Sequence, residues 1–369
     1  MGDYIIRRIL LIVPTLLIIM VVNFTIIQFA PGGPVEKIIA EIQGTSVGAG
    51  ARVTGSGGSE VSGSASQSSI GQGAESKYRG AQGLDPEFIA ELEERFGFDK
   101  PLYVRFFTMV WDFLRFDFGE SYYKDQKVVD LVLEKMPVSI SLGVWTFLIG
   151  YIVSIPLGIR KAVNDGTPFD VWTSFVIVIG YAIPSFLLAV LLQVLFAGAS
   201  FWPIFPLRGL VSDNFADLNW WEQILDYLWH LVLPITALLV GAFANLTMLT
   251  KNSFLDQINS QYVLTARAKG LTERRVLYGH VFRNAMLIVI AGFPSALLGM
   301  LFTGALLIEF LFNLDGLGRL GFEAAIERDY PLVFGTLYFF TLLGLLMAII
   351  RDITYGFIDP RIDFEGRDV

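Results

Sequence analysis

The 369-residue chain has no cysteine and only two histidines, His230 and His280. The missing thiols exclude disulfides, thiolate zinc sites, iron–sulfur clusters and a cysteine nucleophile. Two histidines cannot by themselves build a histidine-rich metal centre. Charge is scarce as well: 17% of residues are Asp, Glu, Lys or Arg, where a soluble domain averages about 25%. The 27 basic residues are outnumbered by 35 acidic ones, for a net charge of −8, so the basic footprint of a nucleic-acid binder is absent. No Walker A pattern occurs, and the chain cannot hydrolyse ATP alone. Neither histidine has the setting of a catalytic triad, so no catalytic residue and no metal site is assigned.

What is abundant is apolar surface. Hydrophobic residues make up 54% of the chain and aromatic ones 14%, with 31 Phe, and the mean hydropathy is +0.58. That is more than a water-facing exterior can cover. A helix crossing a bilayer needs about 20 mostly apolar residues. Six stretches qualify, near 9–29, 139–159, 171–197, 231–249, 285–308 and 332–350. The first follows Arg7 and Arg8 like a signal peptide, but its run is too long and lacks a small-residue cleavage site, so it reads as a retained span. The fold class is therefore an all-α polytopic membrane protein.

Orientation follows from the Lys/Arg bias. With the N-terminus inside, cytoplasmic segments carry 13 basic residues, among them Arg160, Lys161, Lys251, Arg267, Lys269, Arg274, Arg275 and Arg283. The two short outer loops carry only Arg208, Arg319 and Arg328. Both termini are expected in the cytoplasm.

The organisation divides into residues 1–30 with the first span, an extracytoplasmic segment 31–137, and a core 138–369 holding the other spans. Within the outer segment, residues 44–83 are Gly/Ser-rich and nearly free of aromatics, which predicts a loop without a packed core. Asp85-Pro86-Glu87 reads as a helix start, with Phe88, Ile89, Leu92 and Phe96 on one face. A second helix is expected after Pro101, through Leu102, Phe106, Val110 and Leu114, and a third short one at Val128, Leu131 and Val132 before Pro137. The segment predicts a helical cap packed on itself and on the membrane surface, or a docking surface.

The inner loop 251–284 is the most informative stretch. Tyr262 to Leu271 (YVLTARAKGL) reads as a helix stopped at Gly270, and a second helix is expected from Glu273 to about Asn284. Gly supplies the left-handed conformation that ends a helix. Physics alone leaves two uses for this basic elbow: lipid headgroup binding, or insertion into a cytoplasmic partner. Polar groups inside spans are expensive and often functional, which marks Gln193, Asn245 and Thr247 for a translocation path or partner interface. Pro184-Ser185 is expected to kink the third span. Glu309, at the outer end of the fifth, sits where an interfacial carboxylate costs little, and the family resemblance below makes it a candidate contact for an external binding protein. His230 beside Trp229, with Trp220 and Trp221, reads as part of an interfacial aromatic belt.

The run Tyr262–Leu271, followed by Gly279-His280-Val281-Phe282-Arg283-Asn284-Ala285, resembles the cytoplasmic "EAA" loop of binding-protein-dependent ABC importer permeases, in the dipeptide/oligopeptide branch. Ala30-Pro31-Gly32-Gly33-Pro34, Phe96-Gly97-Phe98-Asp99-Lys100-Pro101-Leu102 and Asp117-Phe118-Gly119-Glu120-Ser121-Tyr122 resemble further signatures of that branch. So do Glu309 to Gly318 (EFLFNLDGLG), Arg328-Asp329-Tyr330-Pro331 and Asp359-Pro360-Arg361. The chain departs from the pattern at Leu264, where the family has a charged residue, at Gly33 in place of Asp, and at Asp315 in place of Pro. The long outer segment looks most like permeases of the YejB type, which serve peptide and microcin C uptake.

The resemblance implies the type I importer permease fold of six spanning helices and a non-catalytic transport subunit of the bacterial inner membrane. It implies a second homologous permease, a cytoplasmic ABC ATPase that supplies the ATP and Mg chemistry, a periplasmic peptide-binding protein and a peptide substrate, with membrane lipid around the spans. It also implies that Thr265, Ala266, Arg267, Ala268, Lys269, Gly270 and Leu271 couple the chain to the ATPase. A sensor or scaffold that recruits a cytoplasmic protein is the alternative reading. A self-sufficient secondary transporter is disfavoured, because no ionisable residue lies well inside the six stretches.

Overall fold

A computed structural model describes residues 2–29, 87, 99–198, 201–302 and 306–358. The described residues are helical apart from turns and one isolated bridge, Glu120 to Lys127. The helices are α1 Gly2–Phe29, α2 Leu102–Leu114, α3 Val128–Val163, α4 Pro168–Ala182, α5 Ser185–Phe196, α6 Trp220–Ile258, α7 Gln261–Ala268, α8 Glu273–Val276, α9 Phe282–Phe302, α10 Leu306–Leu311, α11 Leu317–Glu327 and α12 Tyr330–Ile358. Helices are what a bilayer allows, since no water reaches the hydrocarbon to satisfy open backbone groups. Five are long and apolar enough to cross: Ile5–Thr25, Val128–Val163, Trp220–Ile258, Glu273–Leu297 and Tyr330–Thr354. The pair α4 and α5, bent by 95° at their junction, passes the same test together and is a sixth candidate.

That bend is larger than the expected kink. Pro184 disfavours helical backbone at the residue before it, and Ile183 is extended at φ −84°, ψ 120°. The third stretch is thus broken into two helices. Two other expectations on helix ends are corrected. The short helix before Pro137 is the first turns of α3, which continues through Pro137 and Pro156 for 36 residues, about 54 Å. A proline removes one backbone bond, and in a long apolar helix that loss does not end it. The second helix of the inner loop does not stop near Asn284. Glu273–Val276 passes through a π turn, Leu277–Val281, directly into α9, and neither Gly nor Pro lies at 280–285 to interrupt it. The helix start at 85–87 and its apolar face at 88–96 lie outside the described residues except for Glu87.

The chain forms two compact units. The first comprises 1–13, 132–320 and 339–369 and holds two apolar cores. One gathers Leu142, Ala189, Leu231, Leu233, Ile308, Phe312 and Leu314. The other gathers Ile159, Ala162, Phe254, Val263, Ala266, Val276, Val281 and Ala285. Leu142 and Ile159 both lie on α3, about 25 Å apart along its axis, so the cores occupy opposite ends of the unit. Between them α3 and α6 approach closely at Gly158. A Cβ there would lie 2.6 Å from Thr250 Cβ and 2.8 Å from the Thr247 carbonyl oxygen.

The second unit comprises 14–131 and 321–338. Its centre is aromatic: Phe113 meets Phe118 at 5.0 Å and Tyr338 at 5.5 Å between ring centroids. Gly335 admits Val128 and Phe118 against the backbone of α12.

Because the obstruction at Gly158 includes backbone, a methyl group cannot be accommodated by a side-chain rotation. Gly158→Ala is expected to cost about 1–3 kcal/mol and to lower the thermal midpoint of the detergent-solubilised protein. Gly150→Ala, whose Cβ would meet only Leu239 Cδ2 at 3.5 Å, should leave the midpoint within about 0.5 kcal/mol of the parent.

Candidate functional site: the inner elbow and its supports

The elbow begins with Ser260 in extended backbone and α7. Val263 and Ala266 of α7 turn into the core beneath, at 0% and 7% exposure, and the remaining face is open. Gly270 has φ +79°. Its N–H donates to the Arg267 carbonyl at 2.9 Å, and that of Leu271 to the Ala266 carbonyl at 3.3 Å. This pair of bonds is the Schellman closure, which requires a left-handed residue at the position Gly270 holds. Arg267 then reaches across the turn to Glu273 with two bonds, at 2.9 and 3.0 Å.

Of the seven residues singled out in the sequence, Thr265, Arg267, Ala268, Lys269 and Gly270 are exposed, Leu271 is half-buried and Ala266 faces inward. Leu264, where the family pattern carries a charge, is 52% exposed. The elbow therefore presents a small-residue, cationic tip on a hydrophobic base.

That base is held by a charge cluster that sequence reading missed. Lys161, fully buried at the end of α3, donates to the Asp170 carbonyl at 2.9 Å, Thr173 Oγ1 at 2.7 Å and Ser174 Oγ at 2.8 Å. Its ammonium lies 3.0 Å from Asp170 Oδ1. Lys251 of α6 bonds the other oxygen, Oδ2, at 2.7 Å and Asp165 at 2.8 Å. The Gly166 N–H adds a further bond to Oδ2 at 3.2 Å. Two cations and two carboxylates cancel, and buried charge of this kind persists only when so paired. In the sequence, Lys161 and Lys251 register only as basic residues flanking spans. The available hint is the turn Asn164-Asp165-Gly166-Thr167-Pro168, which returns the chain at once and sets Asp170 in the first turn of the next helix.

At the other end of the same unit, the signature loop 309–318 is built on Glu309. Glu309 is the candidate binding-protein contact at the outer end of the fifth span. It is 1% exposed. Oε1 accepts the Ser139 hydroxyl at 2.7 Å, Oε2 accepts the Arg319 N–H at 2.8 Å, and Ser139 Oγ accepts the Leu317 N–H at 2.8 Å. A Cβ on Gly316 would collide with the carboxyl group, and one on Gly318 would lie 3.0 Å from Oε2. The glycines of the signature make room for the glutamate. Asp315, in place of the family's Pro, bonds Lys135 at 2.5 Å.

In the second unit two other signatures meet. The hydroxyl of Ser121 donates to Asp329 Oδ2, and the Tyr122 N–H to Oδ1 at 3.3 Å. Asp329, 1% exposed, also accepts the Leu332 N–H at 3.4 Å and so caps α12. Burial, and after it the Asp329 carboxylate, hold the Tyr122 hydroxyl far above the usual phenol range, so it stays protonated.

The polar candidates within spans are scattered. Gln193 donates to the Leu207 and Leu311 carbonyls at 3.0 and 3.1 Å, a loop-bracing role. Asn245 is exposed on α6. Thr247 is fully buried, beside Gly158. Pro184 and Ser185 form the broken junction already described. His230 lies inside α6, buried, with Nδ1 2.8 Å from the Asp226 carbonyl, whereas Trp220 and Trp221 are 72% and 56% exposed.

Removing the Glu309 acceptor tests this reading. Glu309→Ala strands the Ser139 hydroxyl and the Arg319 N–H and is expected to cost about 2–4 kcal/mol, read as a lower thermal midpoint. Glu309→Gln keeps the shape and one oxygen acceptor and should lose less than about half of that. Equal losses would show that charge, not hydrogen-bond acceptance, is what the loop requires.

With this geometry in view, comparison with known proteins is direct. The family described as "Binding-protein-dependent transport system inner membrane component" matches residues 154–364, from the second half of α3 to beyond α12. The chain is 60% identical over its full length, and that of its relative, to the peptidoglycan transport system permease protein YejB of Agrobacterium fabrum. It is 58% identical, again over all of both chains, to the inner membrane ABC transporter permease protein YejB of Escherichia coli O157:H7. The oligopeptide transport system permease protein AppB of Bacillus subtilis is 30% identical, covering 99% of this chain and all of its own. The chain belongs to the family of inner-membrane permease components of binding-protein-dependent ABC transport systems, as a permease of the YejB type.

Proposed function

We propose that this chain forms one half of the membrane pathway of an ATP-driven importer for peptides, including the peptide portion of cell-wall fragments. The observation that carries the reading is the elbow: a rigid helix–turn tip, open on one side and packed on the other into the core that joins α3, α6 and α9. Relatives named for peptidoglycan and oligopeptide transport support this substrate class, and a small peptide antibiotic such as microcin C falls within it.

In this reading a cytoplasmic ABC ATPase, carrying ATP and Mg, receives Thr265 to Leu271 in a surface cleft. Small residues at Ala268 and Gly270 permit close approach, and Lys269 supplies charge. Closure of two ATPase domains pushes the tip. Val263 and Ala266 pass that displacement to Phe254 and Ala285, and the Lys161–Asp170–Lys251 cluster keeps α3, α4 and α6 moving together. A second homologous permease completes the pathway, and the pair rocks between inward- and outward-facing arrangements, each ligand biasing one state. A periplasmic binding protein delivers the peptide. The basic residues around the elbow support a cytoplasmic location for it and for both termini.

Gly270 offers a graded test, because a Cβ there meets nothing within 4 Å and only the left-handed backbone opposes it. Gly270→Val is expected to cut uptake of a labelled peptide about tenfold or more, since forcing a β-branched residue into that conformation costs about 1–2 kcal/mol at the coupling tip. Membrane insertion should be normal, and ATP hydrolysis by the assembled complex should no longer respond to the loaded binding protein. Gly270→Asn, which tolerates this backbone, should retain most of the uptake. Full uptake by the valine variant would remove the elbow from the coupling path.

Sidedness has its own test in a chain without cysteine. Lys269→Cys should react with a membrane-impermeant maleimide in inverted vesicles and not in intact spheroplasts. The opposite pattern would invert the topology.

A further inference from the structure

Helix α2 lies outside the spans, yet both of its faces are apolar. The inner face is anchored: Phe106 meets Phe24 at 5.4 Å, and Phe113 meets Phe118 and Tyr338 at 5.0 and 5.5 Å. These partners fix its depth. Phe24 is next to the last residue of the span Ile5–Thr25, and Tyr338 lies eight residues into Tyr330–Thr354, about 12 Å along that helix. Thus α2 packs beside the last turn of one span and a point about a third of the way along another.

The outer face is an exposed stripe. Tyr103, Phe107, Trp111 and Leu114, spaced at helical intervals, are 66%, 68%, 56% and 54% exposed. The charged residues Arg105 and Asp112 turn away from it, toward a cavity of about 330 Å³ lined also by Phe24, Tyr122 and Phe334. At the C-terminal end, the guanidinium of Arg115 lies 4.5 Å over the Trp111 ring, a cation at the rim of an aromatic surface.

The helix terminus adds an independent observation. The Phe116 N–H donates to the Phe113 carbonyl at 3.1 Å and the Asp117 N–H to the Asp112 carbonyl at 2.9 Å, the same closure that Gly270 makes in the elbow. Here the left-handed position, φ +60°, is held by a phenylalanine that is 56% exposed. Glycine is the usual occupant of that position. The Phe116 ring touches Phe118 at 6.4 Å between centroids on one side and is otherwise left exposed, where a large apolar group gains nothing from water.

We propose that α2 is an in-plane membrane helix, with the Tyr103–Phe107–Trp111–Leu114 face and Phe116 seated in phospholipid at the boundary between headgroups and acyl chains. The mixed Tyr, Trp and Phe face with an arginine at its edge suits that layer, where amphipathic rings concentrate. Seated there, α2 ties the turn 117–127 and the Ser121–Asp329 contact to the bilayer surface. The inference requires only that the spans cross a bilayer, so its failure leaves the transport reading intact.

The absence of native cysteine makes the test direct. Phe107→Cys and Tyr103→Cys would each carry a nitroxide in the full transporter complex reconstituted into phospholipid nanodiscs, with Gln126→Cys as an aqueous reference. Electron paramagnetic resonance power saturation then compares collisions with oxygen and with a water-soluble nickel chelate. Both stripe labels should favour oxygen and report a depth of about 5–10 Å below the headgroup boundary, while the Gln126 label favours nickel. Stripe labels that favour nickel would place the face in water, and labels shielded from both reagents would place it against protein. Either result overturns the proposal.

Discussion

One carboxylate, Asp170, holds the inner end of the first unit together. It stands in the first turn of α4, and its two oxygens serve lysines from two other helices, Lys161 of α3 and Lys251 of α6. Three helix ends are tied at one point, and each ion is compensated within about 3 Å. The apolar core beside it, with Ala162 next to Lys161 and Phe254 one helical turn after Lys251, is the platform on which Val263 and Ala266 seat the elbow. Buried pairs of this kind are weak evidence for added stability, since desolvation offsets much of the attraction, but loss of one member strands the others. Their value here is geometric: the platform cannot shift one helix without the other two.

The same device recurs where family signatures lie. Glu309 organises the loop 309–318 through the Ser139 hydroxyl and backbone N–H groups, and Asp329 joins the turn at Ser121–Tyr122 to the start of α12. Each carboxylate is nearly inaccessible, and each is surrounded by small or hydroxylated residues that let donors approach. Glu309, at the outer end of its span, is a candidate for an external contact. The structure turns it inward, because the bonding capacity of a buried carboxylate is met by amides and hydroxyls that would otherwise lack partners. The exposed chemistry lies elsewhere, on the elbow tip and on the aromatic face of α2.

Three boundaries moved for local reasons. Pro184 broke its span because the residue before it took an extended backbone, while Pro137 and Pro156, in the same chemical class, left α3 continuous. The sequence does not separate these cases, since whether a proline bends or breaks a helix depends on whether neighbouring elements hold the next turn in line. The π turn at Leu277–Val281 carries the loop helix into α9, where a loop helix and a separate apolar span were expected.

The resemblance of its motifs pointed to the family, while composition and patterning alone were enough for an all-helical chain dissolved in a bilayer, the approximate spans and the helix stopped at Gly270. Those features follow from period, run length and a left-handed glycine, which are properties of neighbours along the chain. The distant partners Lys251 of Asp170, Ser139 of Glu309 and Ser121 of Asp329 were not legible, because they lie 81, 170 and 208 residues away and nothing in a linear pattern specifies which distant donor a carboxylate will meet. Nor was the division of α2 into a packed face and an open one, since both faces are aromatic and only contact with Phe24 and Tyr338 distinguishes them. Hydrophobicity decides that a segment leaves water. Which surface it leaves water for is decided by packing.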